Sequence, residues 1–179
     1  VIADELRPEL ARASRLTESL RLYDSSYHTE LYWWTGNFED SDGIPRSSLL
    51  SAAESDRVDV GRRFPVSAHH ERRAGIGADR STVLVLSTDE DTRDDALRCG
   101  EALSAVLLEC TLAGMATCTL SHLTELWSSR NLIGTLTGRA AVPQLLIRVG
   151  EAHLLGELPP ITARRPLRDV LTFHRDTCG

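Results

Sequence analysis

Between Thr92 and His122 a long apolar helix pattern runs into a glycine and straight on into a short strand, and this order constrains the fold most. Ala96, Leu97, Ala102, Leu103, Val106, Leu107 and Cys110 recur at helical spacing and predict one apolar face over residues 92–113. Asp89, Glu90 and Asp91 precede it, where carboxylates suit the positive end of a helix dipole. Gly114 fits the left-handed cap that ends such a helix. Residues 116–120 then read as a strand, Ser121 and His122 as a polar loop, and residues 124–136 as another helix. Two further apolar runs, 81–87 and 144–149, have the length and β-branched content of buried strands, the second followed by Gly150. A helix with one apolar stripe must bury it against a sheet or another helix, so this alternation predicts a layered α/β packing.

The flanks differ. Residues 1–36 predict helix in two pieces, with Leu6, Leu10, Ala13, Leu16, Leu20 and Tyr23 as the buried face and Gly36-Asn37 as the stop. Trp33-Trp34 beside that stop reads as core packing rather than a stacking platform. Residues 37–80 are rich in Gly, Ser, Asp, Pro and Arg, with two short helical possibilities at 46–54 and 56–63. So long an excursion fits a lid or binding loop. His69-His70-Glu71 lacks a spaced third ligand and predicts a polar loop, so no metal is expected. Ser121-His122 has no Gly-x-Ser-x-Gly elbow around it and gives no hydrolase signal.

The net charge of −6 excludes a general nucleic-acid binder, which needs a basic surface to displace counterions. All 20 basic side chains are Arg. Cys99, Cys110, Cys118 and Cys178 form no Cys-x-x-Cys pair and read as reduced thiols of a cytoplasmic protein. No apolar run reaches the ~18 residues of a membrane span. The first 22 residues are charged and amphipathic, unlike a signal peptide, and Met115 is the only Met, so the chain is expected to start inside a longer protein.

Three blocks in order resemble the FMN-dependent nitroreductase superfamily: the Gly100–Ala102 helix running to Gly114-Met115-Ala116-Thr117, the Pro143-to-Gly150 strand, and the closing Arg164-Arg165-Pro166-Leu167-Arg168-Asp169-Val170-Leu171. Trp33-Trp34-Thr35-Gly36, Gly43-Ile44-Pro45, the Ala53-to-Val58 run and Asp95-Ala96-Leu97-Arg98-Cys99-Gly100 together are similar to its Acg-type actinobacterial subgroup. The resemblance implies an α+β nitroreductase-like fold, a central mixed sheet flanked by helices. It divides the chain into a helical segment (1–36), a candidate lid (37–80) and the core (81–179). It also implies a C-terminal half of a chain built from two related halves.

The same resemblance places Thr119, Leu120, Ser121 and His122 against the flavin of FMN, with the main-chain N–H of Ser121 toward ring N5 and that of His122 toward O4. Arg164 and Arg165 would reach the phosphate, which a guanidinium can grip with two parallel hydrogen bonds. Relatives often have Gly where His122 stands, so a bulky side chain there would restrict access to the ring. The early Arg-x-Ser-x-Arg-type phosphate motif has no counterpart in residues 1–40. The rest of the site must then come from a missing N-terminal half or an oligomer partner in a dimer. The implied activity is reduction of nitroaromatic or quinone-type acceptors by NAD(P)H, without a catalytic side chain, because the cofactor carries the chemistry. The alternative is flavin storage under a lid, with no NAD(P)H activity.

Overall fold

A computed structural model describes residues 1–36, 43–68, 75–152 and 166–172. Its elements are α1 (Arg7–Arg21), α2 (Ser25–Thr35), α3 (Ala52–Asp56), β1 (Thr82–Thr88), α4 (Arg93–Leu112), β2 (Ala116–Leu120), α5 (His122–Glu125), α6 (Trp127–Thr137), β3 (Val142–Gly150) and α7 (Leu167–Val170). The α+β arrangement of a sheet flanked by helices is the one expected from the sequence.

Among the described residues the sheet has three strands in the order β1-β3-β2, and both pairings are antiparallel. β3 is central, with Leu146 opposite both Val85 and Leu120, and Ile147 opposite Leu84 and Thr119. Because side chains alternate across a strand, these two sets face opposite sides. Leu146, Val83 and Leu120 join Leu10, Leu123 and Ile133 in the core beneath α1, α5 and α6. α4 packs across the other side, where Ile147 is fully buried. The chain start adds to this frame: Ile2 is buried, and its N–H donates to Val83 O at 2.8 Å.

α4 begins on a capping box, in which Thr92 accepts from the Asp95 N–H and Asp95 accepts from the Thr92 N–H. It ends as predicted, at Gly114 with φ +71°, a conformation that costs other residues energy. Cys99 is its one buried residue, while Leu97, Leu108 and Leu112 stand in solvent, Leu112 at 82% exposure. A helix this apolar presents a surface that a soluble protein ordinarily covers.

Several local expectations change. The predicted single helix over 124–136 starts earlier and is split, because Leu126 adopts extended φ −100°, ψ 130° between α5 and α6. Residues 46–54 and 56–63 yield only a 3-10 turn (Arg46–Ser48) and α3, a single short helix on a Ser51–Glu54 capping box. In α1 the inward face is Leu10, Ala11, Ala13, Ser14 and Thr17, whereas Leu16, Leu20 and Tyr23 are exposed. The helix is rolled so that small and polar residues face α5, α6 and Gly61. Trp33 and Trp34 pack edge to face with centroids 4.7 Å apart, yet remain 49% and 44% exposed, so they are not core.

The middle of the candidate lid is pinned. Val60 lies in the core, and Asp59 takes two hydrogen bonds from Arg7, at 2.8 and 2.9 Å. Arg7 also bonds Asp79 at 2.9 Å and the Ser81 carbonyl; Arg148 of β3 pairs with Asp79 at 2.9 Å. One guanidinium thus ties the start of α1 to both ends of the 59–79 stretch.

Candidate functional site

Residues 119–122 occupy the end of edge strand β2 and the turn into α5. Thr119 is exposed, the Leu120 side chain is in the core, Ser121 is exposed, and His122 is buried at 2% exposure. The turn is held from outside and inside. Outside, Ser121 Oγ donates to Glu125 Oε1 at 3.1 Å, and the other Glu125 oxygen pairs with Arg21 of α1. Thr124 N–H donates to Ser121 O at 2.9 Å, and Thr124 Oγ1 lies 2.9 Å from both Ser121 O and Gln144 O of β3. Inside, Leu120 and Leu123 anchor in the core.

Among the described residues no main-chain acceptor takes the N–H of Ser121 or of His122. Ser121 makes no side-chain cap either. Two adjacent donors on this turn thus have no main-chain acceptor among the described residues. A main-chain donor is rarely left without a partner of some kind, so this pair suits an acceptor from outside the chain.

The His122 side chain lies where the sequence reading did not put it. It points inward, with Nε2 3.2 Å from Ser14 Oγ of α1, and does not shield whatever meets the turn. Burial, above all, lowers its pKa to about 4; Glu125 opposes this, and Arg62 and Arg21 add to it. The imidazole is neutral at physiological pH. Ser121 and His122 face different partners, which disposes of a hydrolytic pair between them. The Leu120 side chain is likewise inward, leaving only its main chain for an external ring. Arg164 and Arg165 lie outside the described residues, as do His69-His70-Glu71. No cluster of three or more potential metal ligands occurs among the described residues, and no helix there is long and apolar enough to cross a membrane.

Beside the turn is a polar cluster that the sequence reading missed. The Tyr27 ring sits between the guanidinium groups of Arg21 and Arg62, whose central carbons are 4.8 and 4.7 Å from its centroid. Arg62 Nε donates to Tyr27 Oη at 3.2 Å, and that hydroxyl reaches Glu18 at 3.4 Å. Burial raises the Glu18 pKa, against the Arg63 main chain, Tyr27, Arg62 and Arg21. Thr17 Oγ1, Glu18 Oε1 and Arg21 Nε are buried without a hydrogen-bond partner among the described residues. The available signal was the spacing of Ser14, Thr17, Glu18 and Arg21, which repeats at helical intervals within an otherwise apolar pattern.

Two surface depressions, one along α2 at Trp33 and one between α6 and β3, do not reach the turn.

No family model matches the chain. Over 97% of its length it is 64% identical to a Mycobacterium tuberculosis protein named "Putative NAD(P)H nitroreductase acg", of which it covers 52%. It is 55% identical over 98% of its length to an uncharacterized protein of the same organism, covering 51% of that relative. A third M. tuberculosis protein, also named as a putative NAD(P)H nitroreductase, is 32% identical over 86% of the chain, which covers 45% of it. The chain spans about half the length of the curated relatives it matches. Near-complete alignment at this identity, with the helix–glycine–strand core in place, makes the chain similar along its length to about half of the protein named as an Acg nitroreductase.

Proposed function

We propose that this chain contributes one half of an FMN-binding oxidoreductase in which NAD(P)H reduces nitroaromatic or quinone-type acceptors. The observation that carries the reading is the rigid turn after β2, with its two N–H groups lacking a main-chain acceptor. The Ser121 N–H is assigned to ring N5 and the His122 N–H to O4, with the main chain at Thr119 and Leu120 beside the ring. When bound, FMN supplies hydride acceptance and electron transfer; fixed dipoles at the N5–O4 edge tune it without moving. Arg164 and Arg165 are assigned to the phosphate.

The other half of the site belongs to sequence or a subunit beyond this chain, which would also cover α4. The exposed Leu97, Leu108 and Leu112, and the doubled length of the relatives, support that assignment. The storage alternative loses one support, since His122 does not stand over the turn. It keeps another, because the stretch around Asp59 and Val60 is pinned to the body and provides a fixed root for a cover.

The test is anaerobic addition of NAD(P)H to the full-length, flavin-loaded protein. Rapid bleaching of the visible flavin band is expected. A yellow protein that does not bleach supports storage. A full-length protein that neither purifies with FMN nor takes it up overturns the flavin reading.

A further inference from the structure

His122 is a buried ionisable side chain in a turn whose working atoms, on the flavin reading, are main-chain ones. A leucine would fill the space without desolvating two ring nitrogens, so the imidazole calls for a positional explanation. Its Nε2 lies 3.2 Å from Ser14 Oγ. The same hydroxyl accepts from the Gly61 N–H at 3.3 Å and stands 3.2 Å from Gly61 O. Ser14 has one proton, which goes either to Gly61 O or to Nε2, and a neutral imidazole satisfies both cases by accepting or donating. A single buried hydroxyl therefore joins the turn, α1 and the root of the candidate lid.

α5 is four residues long and lacks a side-chain cap, so it cannot fix the pitch of the turn by itself. Thr124 holds its far end to β3 through Gln144 O. Rotation about the Leu120-to-Leu123 line, which would swing the Ser121 and His122 N–H groups, is opposed outside only by the exposed Ser121–Glu125–Arg21 contacts. The inward imidazole is the lever that stops it. Glu125 from its own helix, Arg21 from α1 and Arg62 from the segment beyond Gly61 are the charged groups that face it; burial and the two cations keep it neutral.

We propose that Ser14 and His122 are positioning residues, whose buried hydrogen bond sets the aim of the Ser121 and His122 main-chain donors and couples it to Gly61. The inference rests on the flavin reading and goes beyond it by assigning side chains that never touch the ring. It is tested in the full-length, FMN-loaded protein with Ser14→Ala, His122→Gln and His122→Phe. Ser14→Ala is expected to keep FMN, with affinity weakened by less than about tenfold, as befits one neutral hydrogen bond outside the site. Its visible absorption bands and its flavin reduction potential shift. His122→Gln, whose amide reaches the same hydroxyl, stays close to the parent, and His122→Phe shifts like Ser14→Ala. If Ser14→Ala does not fold, the Gln and Phe contrast decides. Unshifted spectra and potentials in both deletion variants of an FMN-containing parent overturn this inference alone. A parent that binds no FMN overturns the flavin reading and this inference with it.

Discussion

Acidification is the perturbation that reads the interior of the turn most directly. Burial depresses the pKa of folded His122 from 6.5 to about 4, with Arg62 and Arg21 reinforcing it against Glu125. The unfolded chain therefore binds this proton more readily than the folded one. The His122 contribution is whole above pH 6.5, and it is lost as the pH falls from there toward 4. A gap of that size corresponds to about 3 kcal/mol at ~1.4 kcal/mol per pKa unit, a large fraction of a typical domain's stability. Urea unfolding of the full-length protein from pH 7.5 to 4.5, beside His122→Gln, isolates the effect. Carboxylates common to both proteins cancel in the difference. The parent's advantage over the variant should shrink with falling pH, at a slope approaching ~1.4 kcal/mol per unit near pH 5. NMR titration of the imidazole provides a second reading that does not depend on unfolding. A His122 that titrates above pH 6, together with a flat stability difference, would falsify the buried clip.

Three further outcomes are expected. Arg7→Ala removes the hydrogen bonds to Asp59 and one of the two guanidinium partners of Asp79, which keeps Arg148 at 2.9 Å, and should lower stability by about 1–2 kcal/mol in urea unfolding, a range discounted because Asp59 is more than a third exposed. The low pKa of Asp59, which burial opposes and the Arg7 hydrogen bond and charge outweigh, should return toward 3.8 in that variant, as carboxyl NMR would show. Gly114→Ala forces a Cβ into φ +71° and should cost about 1–2 kcal/mol, seen as a lower Tm with unchanged secondary structure. Replacing Arg164 and Arg165 together by Ala should weaken FMN retention by more than about tenfold in equilibrium dialysis, since each charged hydrogen bond is worth about 1.5–3 kcal/mol; unchanged retention removes both from the phosphate site.

The chain's local choices were legible. The long helix, its glycine stop, the strand over 116–120 and the central strand near 144–149 all occur where periodicity and turn chemistry put them. These depend on sterics within a few residues: a glycine at positive φ, a threonine able to cap, a run of β-branched side chains. The roll of α1 was not legible. Leu16 and Leu20 continue the apolar spacing as well as Ser14 and Thr17 interrupt it, and only the partner surface decides which side is buried. Trp33 and Trp34 likewise looked internal beside a helix end and are half outside.

By itself the sequence determined the order of elements, the place of each turn and the kinship of the chain, because these follow from local conformational energies and from residue identity. Tertiary structure alone decided which polar groups meet. Ser14 and His122 are 108 positions apart, and Arg7 reaches Asp59 and Asp79 across 52 and 72. Such pairs form because burying an unpaired polar group is costly, and the packed geometry brings these distant partners within reach. A linear reading sees the residue but not the neighbour, which is why it expected a bulky His122 side chain to restrict access, whereas packing turns that side chain inward to Ser14.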